Sequence, residues 1–345
     1  MQTGNNNHAS RWVSPEHGCC RGSRSSDTRL THLVRQQHRT GVARRDNPTT
    51  SICTRNIQVV CGGNYSQPLP ADYIEPMPEG HVLHRLAGEL NRRFAGKVLE
   101  ISSPQGRFQA EANLLQGVPF DHAEAYGKQL FLHFATPQPE RIIFIHLGLI
   151  GKFRFYEHTP PAGIIRLQLV SDDTYAVLTG PQWCRLIDEP TREQAIRKLG
   201  ADPLRASSDP GAIWPRIKRS SRPFGELLMD QSLFAGVGNI YRAEVLFRAG
   251  IAPKRKGKRI LRREFDAVYA DLVELMALGV RDGRIDTVRP AHLPEAMGRP
   301  PRDDAHGGEV YVYRRAGEPC YVCGTPIRHE IMGNRNLFYC PTCQH

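Results

Sequence analysis

The sequence predicts an α+β protein: an antiparallel β-sandwich that begins with one helix, then a helical domain ending in a small four-cysteine lobe. Three observations predict it. Between residues 98 and 178 short apolar runs alternate with Gly, Pro and Asp turns. Beyond residue 211 the apolar period becomes helical. Four of the nine cysteines fall in two Cys-x2-Cys pairs near residue 345, which is metal-site spacing.

At 345 residues and 40% hydrophobic, the chain is long enough to bury two cores. Its 46 Lys plus Arg against 35 Asp plus Glu leave a formal charge of +11, which points to a polyanionic partner, nucleic acid or an anionic membrane surface. The membrane reading fails, because the longest apolar run, 142–150, is interrupted by His146 and is far short of the roughly 20 residues a spanning helix needs. No secretory leader pattern opens the chain, so an intracellular protein, cytoplasmic or nucleoid-associated, is expected. The cysteines are too unevenly placed for an extracellular disulfide scaffold.

Taken in order, residues 1–76 carry nine Arg, no Lys and five acids, with no sustained apolar periodicity. Such a stretch buries too little apolar surface to offset its ordering entropy, so it reads as a disordered extension outside the mature enzyme. A stretch never translated, a basic tail and a cleaved transit peptide are the competing origins. From Met77 the texture changes. Val82, Leu83, Leu86, Leu90 and Phe94 share one face, predicting a helix over 79–93 with Glu79 favoured at its start by the helix dipole. Strands are expected at 98–102, 130–134, 141–147, 152–156, 164–170 and 175–178. The polar, Pro-bearing 200–212 segment is expected to be a hinge, separating a domain over 77–199 from a helical one over 213–308. Within the latter, helices are expected at 224–231, 240–249 and 264–278. Residues 309–345 form the last module.

Cys320-x2-Cys323, sixteen residues and then Cys340-x2-Cys343 bring two thiolate pairs together, a set that satisfies tetrahedral Zn2+. Four sulfurs leave no open position, so one structural zinc is expected. Between the pairs, Gly333-Asn334-Arg335-Asn336 reads as a hairpin tip presenting Arg335, either a solvated charge or a functional one. Asp230-Gln231 followed by Ala235-Gly236-Val237-Gly238-Asn239 is a Gly-rich turn before a helix. It is either a phosphate seat of exposed amides or a packed connection. Met77-Pro78-Glu79-Gly80 is a common helix start. Its chemical alternative is specific: a proline at a true N-terminus is a secondary amine able to attack the C1′ carbon of a deoxyribose, with a neighbouring carboxylate to move protons. Lys128 sits at a turn before a β run, where a solvated gatekeeper is the ordinary reading, and His146 lies within an apolar strand, as a core histidine or a ligand.

The four motifs in this order resemble the formamidopyrimidine-DNA glycosylase and endonuclease VIII family, over residues 77–345. The resemblance implies a two-layer β-sandwich, a helix-two-turns-helix domain with a zinc finger, and DNA in the cleft between them. It implies that Pro78 is the Schiff-base nucleophile, Glu79 the proton donor for sugar-ring opening, Lys128 the general acid of β-elimination and Arg335 the donor for δ-elimination. Asn239 and His146 would help hold the phosphates around a nucleotide everted from double-stranded DNA. Leu149, in Leu147-Gly148-Leu149-Ile150-Gly151, is expected to be the wedge that fills the vacated stack. Where formamidopyrimidine enzymes carry an Arg-Arg-Phe loop, this chain reads Gly180-Pro181-Gln182-Trp183-Cys184. The resemblance is therefore closer to the endonuclease VIII-like branch, and oxidised pyrimidines are the favoured lesions. A monomer acting as a bifunctional glycosylase and abasic-site lyase is expected, with a non-catalytic damage-binding member as the rival class.

Overall fold

The computed structural model describes residues 78–160, 162–172, 174–303 and 308–345. The expectation for residues 1–76 lies outside the described residues.

Helix α1 (Gly80–Phe94) buries Leu83, Leu86, Leu90 and Phe94 as the periodicity predicts. It feeds a sandwich of two four-stranded antiparallel sheets. One has the order β1 (Glu100–Ser102), β6 (Ile165–Ser171), β7 (Thr174–Thr179), β5 (Lys152–Tyr156). The other runs β2 (Phe120–Tyr126), β3 (Gln129–Phe134), β4 (Ile142–His146), β8 (Trp183–Ile187). Their inner faces share one core, in which Leu130, Leu132, Ile143 and Ile145 meet Leu167, Leu169 and Leu178 under the apolar side of α1. Short α2 (Gln109–Leu114) adds Ala112 to it. Helix α3 (Glu189–Arg197) covers the outer face of the second sheet over Phe131, Ile142 and Phe144. This is why β3 is apolar on nearly every residue rather than alternating.

Strands β2 and β8 were not expected. β2 reads Phe-Asp-His-Ala-Glu-Ala-Tyr, so its inward positions are alanines with little apolar weight. It is held by its antiparallel ladder to β3, by the buried Phe120 at its start and by ion pairing, in which Glu124 accepts from Arg192 of α3 and from Arg205.

The second core lies among α4 (Pro210–Arg219), α5 (Phe224–Leu227), α6 (Asn239–Arg248) and α7 (Arg262–Asp282), with Phe224, Phe234, Leu246, Phe265 and Leu272 at its centre. The helix expected over 224–231 stops at Leu227 because Asp230 turns the chain, its Oδ1 accepting from the Ser232 N–H (3.1 Å) and Oγ (2.7 Å). The segment expected as a polar hinge begins buried: Ala201 bridges to Phe234 and Asp202 is wholly enclosed. After α8 (Pro294–Met297) comes the hairpin β9 (Arg328–Met332) and β10 (Arg335–Tyr339), turned through Gly333 and Asn334 at φ 57° and 58°. The finger has no separate core, since Val310, Val312, Cys320, Phe338 and Cys340 continue that of the helices. Among the described residues no helix is long and apolar enough to cross a membrane.

Candidate active site and zinc centre

Five of the predicted site residues, Pro78, Lys128, His146, Leu149 and Arg335, line one cleft of about 640 Å³. They arrive from separate elements. Pro78 precedes α1, Lys128 occupies the β2–β3 turn, His146 ends β4, and Arg335 opens β10. Leu149 and Ile150 stand on the rim, 60% and 76% exposed, on a tight loop closed by Gly151 N–H donating to Leu147 O at 3.0 Å. Gly180, Pro181 and Gln182 form the facing rim.

Glu79 lies just behind the cleft and is 2% exposed. Its carboxylate accepts from the backbone N–H of Gly238 (2.9 Å) and Ile240 (2.7 Å), at the positive N-terminal end of α6. This seat exists because the turn is glycine: a Cβ on Gly238 would lie 2.4 Å from the Glu79 Cδ. Gly236, at φ 87°, likewise lets Gly80 approach until its N–H reaches Gly236 O at 2.8 Å. The Gly-rich turn thus carries its exposed amides to a carboxylate of the same chain.

Electrostatics follow from this enclosure. Burial raises the Glu79 carboxyl above its usual range, opposed by the Lys128 charge and the three amides it accepts from. Burial lowers the Lys128 ammonium, with Glu79 raising it and Arg335 lowering it further. The two groups are therefore driven toward one another and toward neutral pH. His146 is lowered by burial and by Lys128, which favours the neutral ring. Its Nδ1 accepts from Gly148 N–H at 3.1 Å, so the neutral ring carries its proton on Nε2. The ring also packs on Trp183, with centroids 4.5 Å apart.

Asn239 does not line the cleft. It is buried behind Arg335, where its Nδ2 donates to Asn336 O at 2.9 Å and its Oδ1 accepts from Arg242. Arg242 also donates to Asn336 O at 2.7 Å, so α6 holds the hairpin that presents Arg335.

The four thiols of Cys320, Cys323, Cys340 and Cys343 lie within 4.8 Å of one another. Zn–S bonds of about 2.3 Å require sulfur separations of about 3.8 Å, and Cys320–Cys343 and Cys323–Cys340 stand at 3.9 and 3.4 Å. The donor set fits one structural zinc, with no open coordination position for chemistry.

Sequence reasoning missed three residues that shape the site. Asp202 and Glu244 are fully enclosed carboxylates, and Arg242 is a 1% exposed guanidinium. Glu244 accepts from the N–H groups of Tyr311 (2.7 Å), Val312 (2.9 Å) and Tyr313 (2.9 Å), fastening the finger to α6. In sequence these are ordinary charged residues, and only the enclosure marks them.

Comparison with known proteins agrees with this architecture. Residues 77–182 match the formamidopyrimidine-DNA glycosylase N-terminal domain, 199–289 the formamidopyrimidine-DNA glycosylase H2TH domain, and 317–345 the zinc finger found in FPG and IleRS. The chain belongs to the formamidopyrimidine-DNA glycosylase and endonuclease VIII family, a class of zinc-finger DNA-repair glycosylases. Within it the endonuclease VIII side is nearer. Endonuclease 8 1 of Mycobacterium tuberculosis is 46% identical over 258 residues, covering 72% of this chain and 92% of that protein. A formamidopyrimidine-DNA glycosylase of Parasynechococcus marenigrum is 36% identical over 63% of this chain and 79% of its own length. In three dimensions the MutM (Fpg) protein of Thermus thermophilus aligns with TM-score 0.61 at 27% identity, over 77% of this chain and 98% of its own. Lactococcus lactis Fpg, solved with an abasic site containing DNA, shares the fold at TM-score 0.64 and 22% identity, over 77% and 99% of the two chains.

Proposed function

We propose that this protein is a bifunctional DNA glycosylase and abasic-site lyase that removes oxidised bases, pyrimidines foremost, and nicks the strand. The observation that carries the reading is the meeting of Pro78, Lys128, His146 and Arg335 on one cleft backed by the buried Glu79. The Pro78 nitrogen attacks C1′ of an everted nucleotide. A C–N bond forms, and the base leaves with the glycosidic electron pair and a proton. Glu79, whose carboxyl is raised by burial, gives a proton to the ring oxygen as the sugar opens to the iminium. Loss of a C2′ proton then expels the 3′ phosphate, with Lys128 as general acid, and δ-elimination expels the 5′ phosphate with Arg335 as donor. Arg335 and His146 hold the flanking phosphates of double-stranded DNA, Asn239 acts through the hairpin it fastens behind Arg335, and Leu149 fills the gap left in the stack. The rim of Gly180, Pro181 and Gln182, without a purine-probing arginine loop, supports the pyrimidine preference. The protein acts as a monomer at the nucleoid.

The chemistry needs a secondary amine, so it requires a chain that begins at Pro78. Borohydride trapping tests this. Protein starting at Pro78 should yield a covalent adduct with abasic-site DNA that disappears in Pro78→Gly and is absent when Met77 and the preceding residues remain attached. No adduct from protein confirmed by mass to begin at Pro78 would favour a damage-binding module instead.

A further inference from the structure

We propose that Asp202 is a positioning residue for Lys128, the one carboxylate that locks the lysine's turn to both halves of the site. This rests on the lyase role proposed for Lys128. Asp202 has no solvent exposure. Its Oδ2 accepts the N–H of Gly127, the residue before Lys128, at 2.7 Å, and lies 2.9 Å from His84 Nε2 on α1. Its Oδ1 accepts the Leu204 N–H at 2.9 Å, and its own N–H donates to Ser208 Oγ at 2.9 Å. The carboxylate therefore joins the turn bearing Lys128 to the helix that begins at Pro78 and Glu79.

The adjoining backbone extends the brace to the helical domain. Gly200 and Ala201 donate to the carbonyls of Gln231 (2.9 Å) and Leu233 (3.0 Å), and Ala235 N–H returns to Ala201 O at 2.9 Å. The 231–235 segment leads directly into the turn that seats Glu79. Gly127, at φ 58°, packs so closely there that an added Cβ would sit 3.0 Å from Gly236 N. An enclosed carboxylate is costly to desolvate and would be replaced by apolar packing if bulk alone mattered. Here one oxygen fixes the Gly127 N–H beside Lys128 and His84 of α1, while the Leu204 and Ser208 bonds hold the carboxylate's own segment in place. Releasing the Gly127 N–H lets the turn shift and moves the lysine off line with the sugar.

The test is Asp202→Asn in protein beginning at Pro78. Asparagine keeps the volume but puts an NH2 donor where one of the two accepting oxygens stood, facing a backbone N–H. Single-turnover nicking of abasic-site DNA should fall about 10- to 100-fold, the usual cost of an ångström-scale misplacement, while Kd for the same DNA stays that of the parent. The alkaline limb of the pH–rate profile should move up toward 10.5, as Lys128 is freed from its burial. Glu79, His81, His146 and Arg335 are the other titrating or charged groups around Lys128 and stay in place. Should Asp202→Asn not fold, His84→Leu, altering a side chain 15% exposed, decides by the same readouts with a smaller loss. Parental rate and pH profile, or a Kd weakened in step with the rate, would overturn the proposal. Absence of any adduct from the parent would overturn the lyase reading itself.

Discussion

At the residue scale the site is a pair of groups held out of water. Burial pushes Glu79 up from 4.5 and Lys128 down from 10.5. In the proposed roles both act as acids and must hold their protons, so the single-turnover rate on abasic-site DNA should fall as pH rises, with Glu79 losing its proton above 4.5 and Lys128 below 10.5. A profile flat across that window would remove both groups from the proton transfers. The folding linkage has its own sign. Because the folded Glu79 carboxyl is raised, its contribution to stability is full below about pH 4.5 and declines as pH rises through the folded value. Leu149 behaves differently, being 60% exposed. Leu149→Ala should leave the denaturation midpoint within about 0.5 kcal/mol of the parent. It should nonetheless cost about 1.5–3 kcal/mol in kcat/KM on a lesion duplex, the value of burying a leucine side chain in the stack. Pro78, Lys128 and Arg335 were legible because motif order placed them. Asp202, Arg242 and Glu244 were not, since charge in a sequence reads as surface until tertiary packing encloses it.

At the scale of elements, the contact that organises the site is glycine on glycine. Gly80 at the head of α1 and Gly236 before α6 approach until backbone meets backbone. Gly236→Ala would place a Cβ 3.2 Å from Gly80 Cα at φ 87°. A loss of about 1–3 kcal/mol in urea unfolding is expected from the strained backbone, with a fall in nicking rate as the Glu79 seat opens. The same change at Gly88, with nothing near its Cβ, should be neutral or stabilising. Helices with a clean apolar stripe, α1 and α7, were readable in sequence. So were strands β4, inside its sheet, and β5, at the edge of the other, which are rich in Ile and Phe. β2 was not, because alanine and ion pairs replace an apolar alternation. The 224–231 helix was overextended because a side chain, Asp230, competes for the backbone where periodicity alone would continue.

For the whole molecule, the continuity of the second core through the finger predicts how metal loss spreads. Chelation, or Cys340→Ser, should destabilise the helical domain as well as the finger, by roughly 4 kcal/mol or more. Near-ultraviolet dichroism and nicking should be lost together. A finger that melts while the helices keep their midpoint would contradict the shared core. Acid acts on the other half. Burial raises the Glu124 carboxyl, but bonds from His133, Arg192 and Arg205 more than reverse this and hold it at about 2. Its stabilisation is present above 4.5 and is lost as pH falls through about 2, so Glu124→Gln should flatten the acid side of the stability curve. The bond from Ile240 N–H to Glu79 has a last consequence, for the order of events during folding. It spans 161 residues of chain, so the seat of Glu79 forms only after the helical half has docked. On the proposed chemistry, a half-folded molecule would carry the Pro78 amine without the enclosed acid that opens the sugar ring. Reactivity would arrive as the final step of maturation, restricting covalent capture of sugars to molecules already able to let go of them.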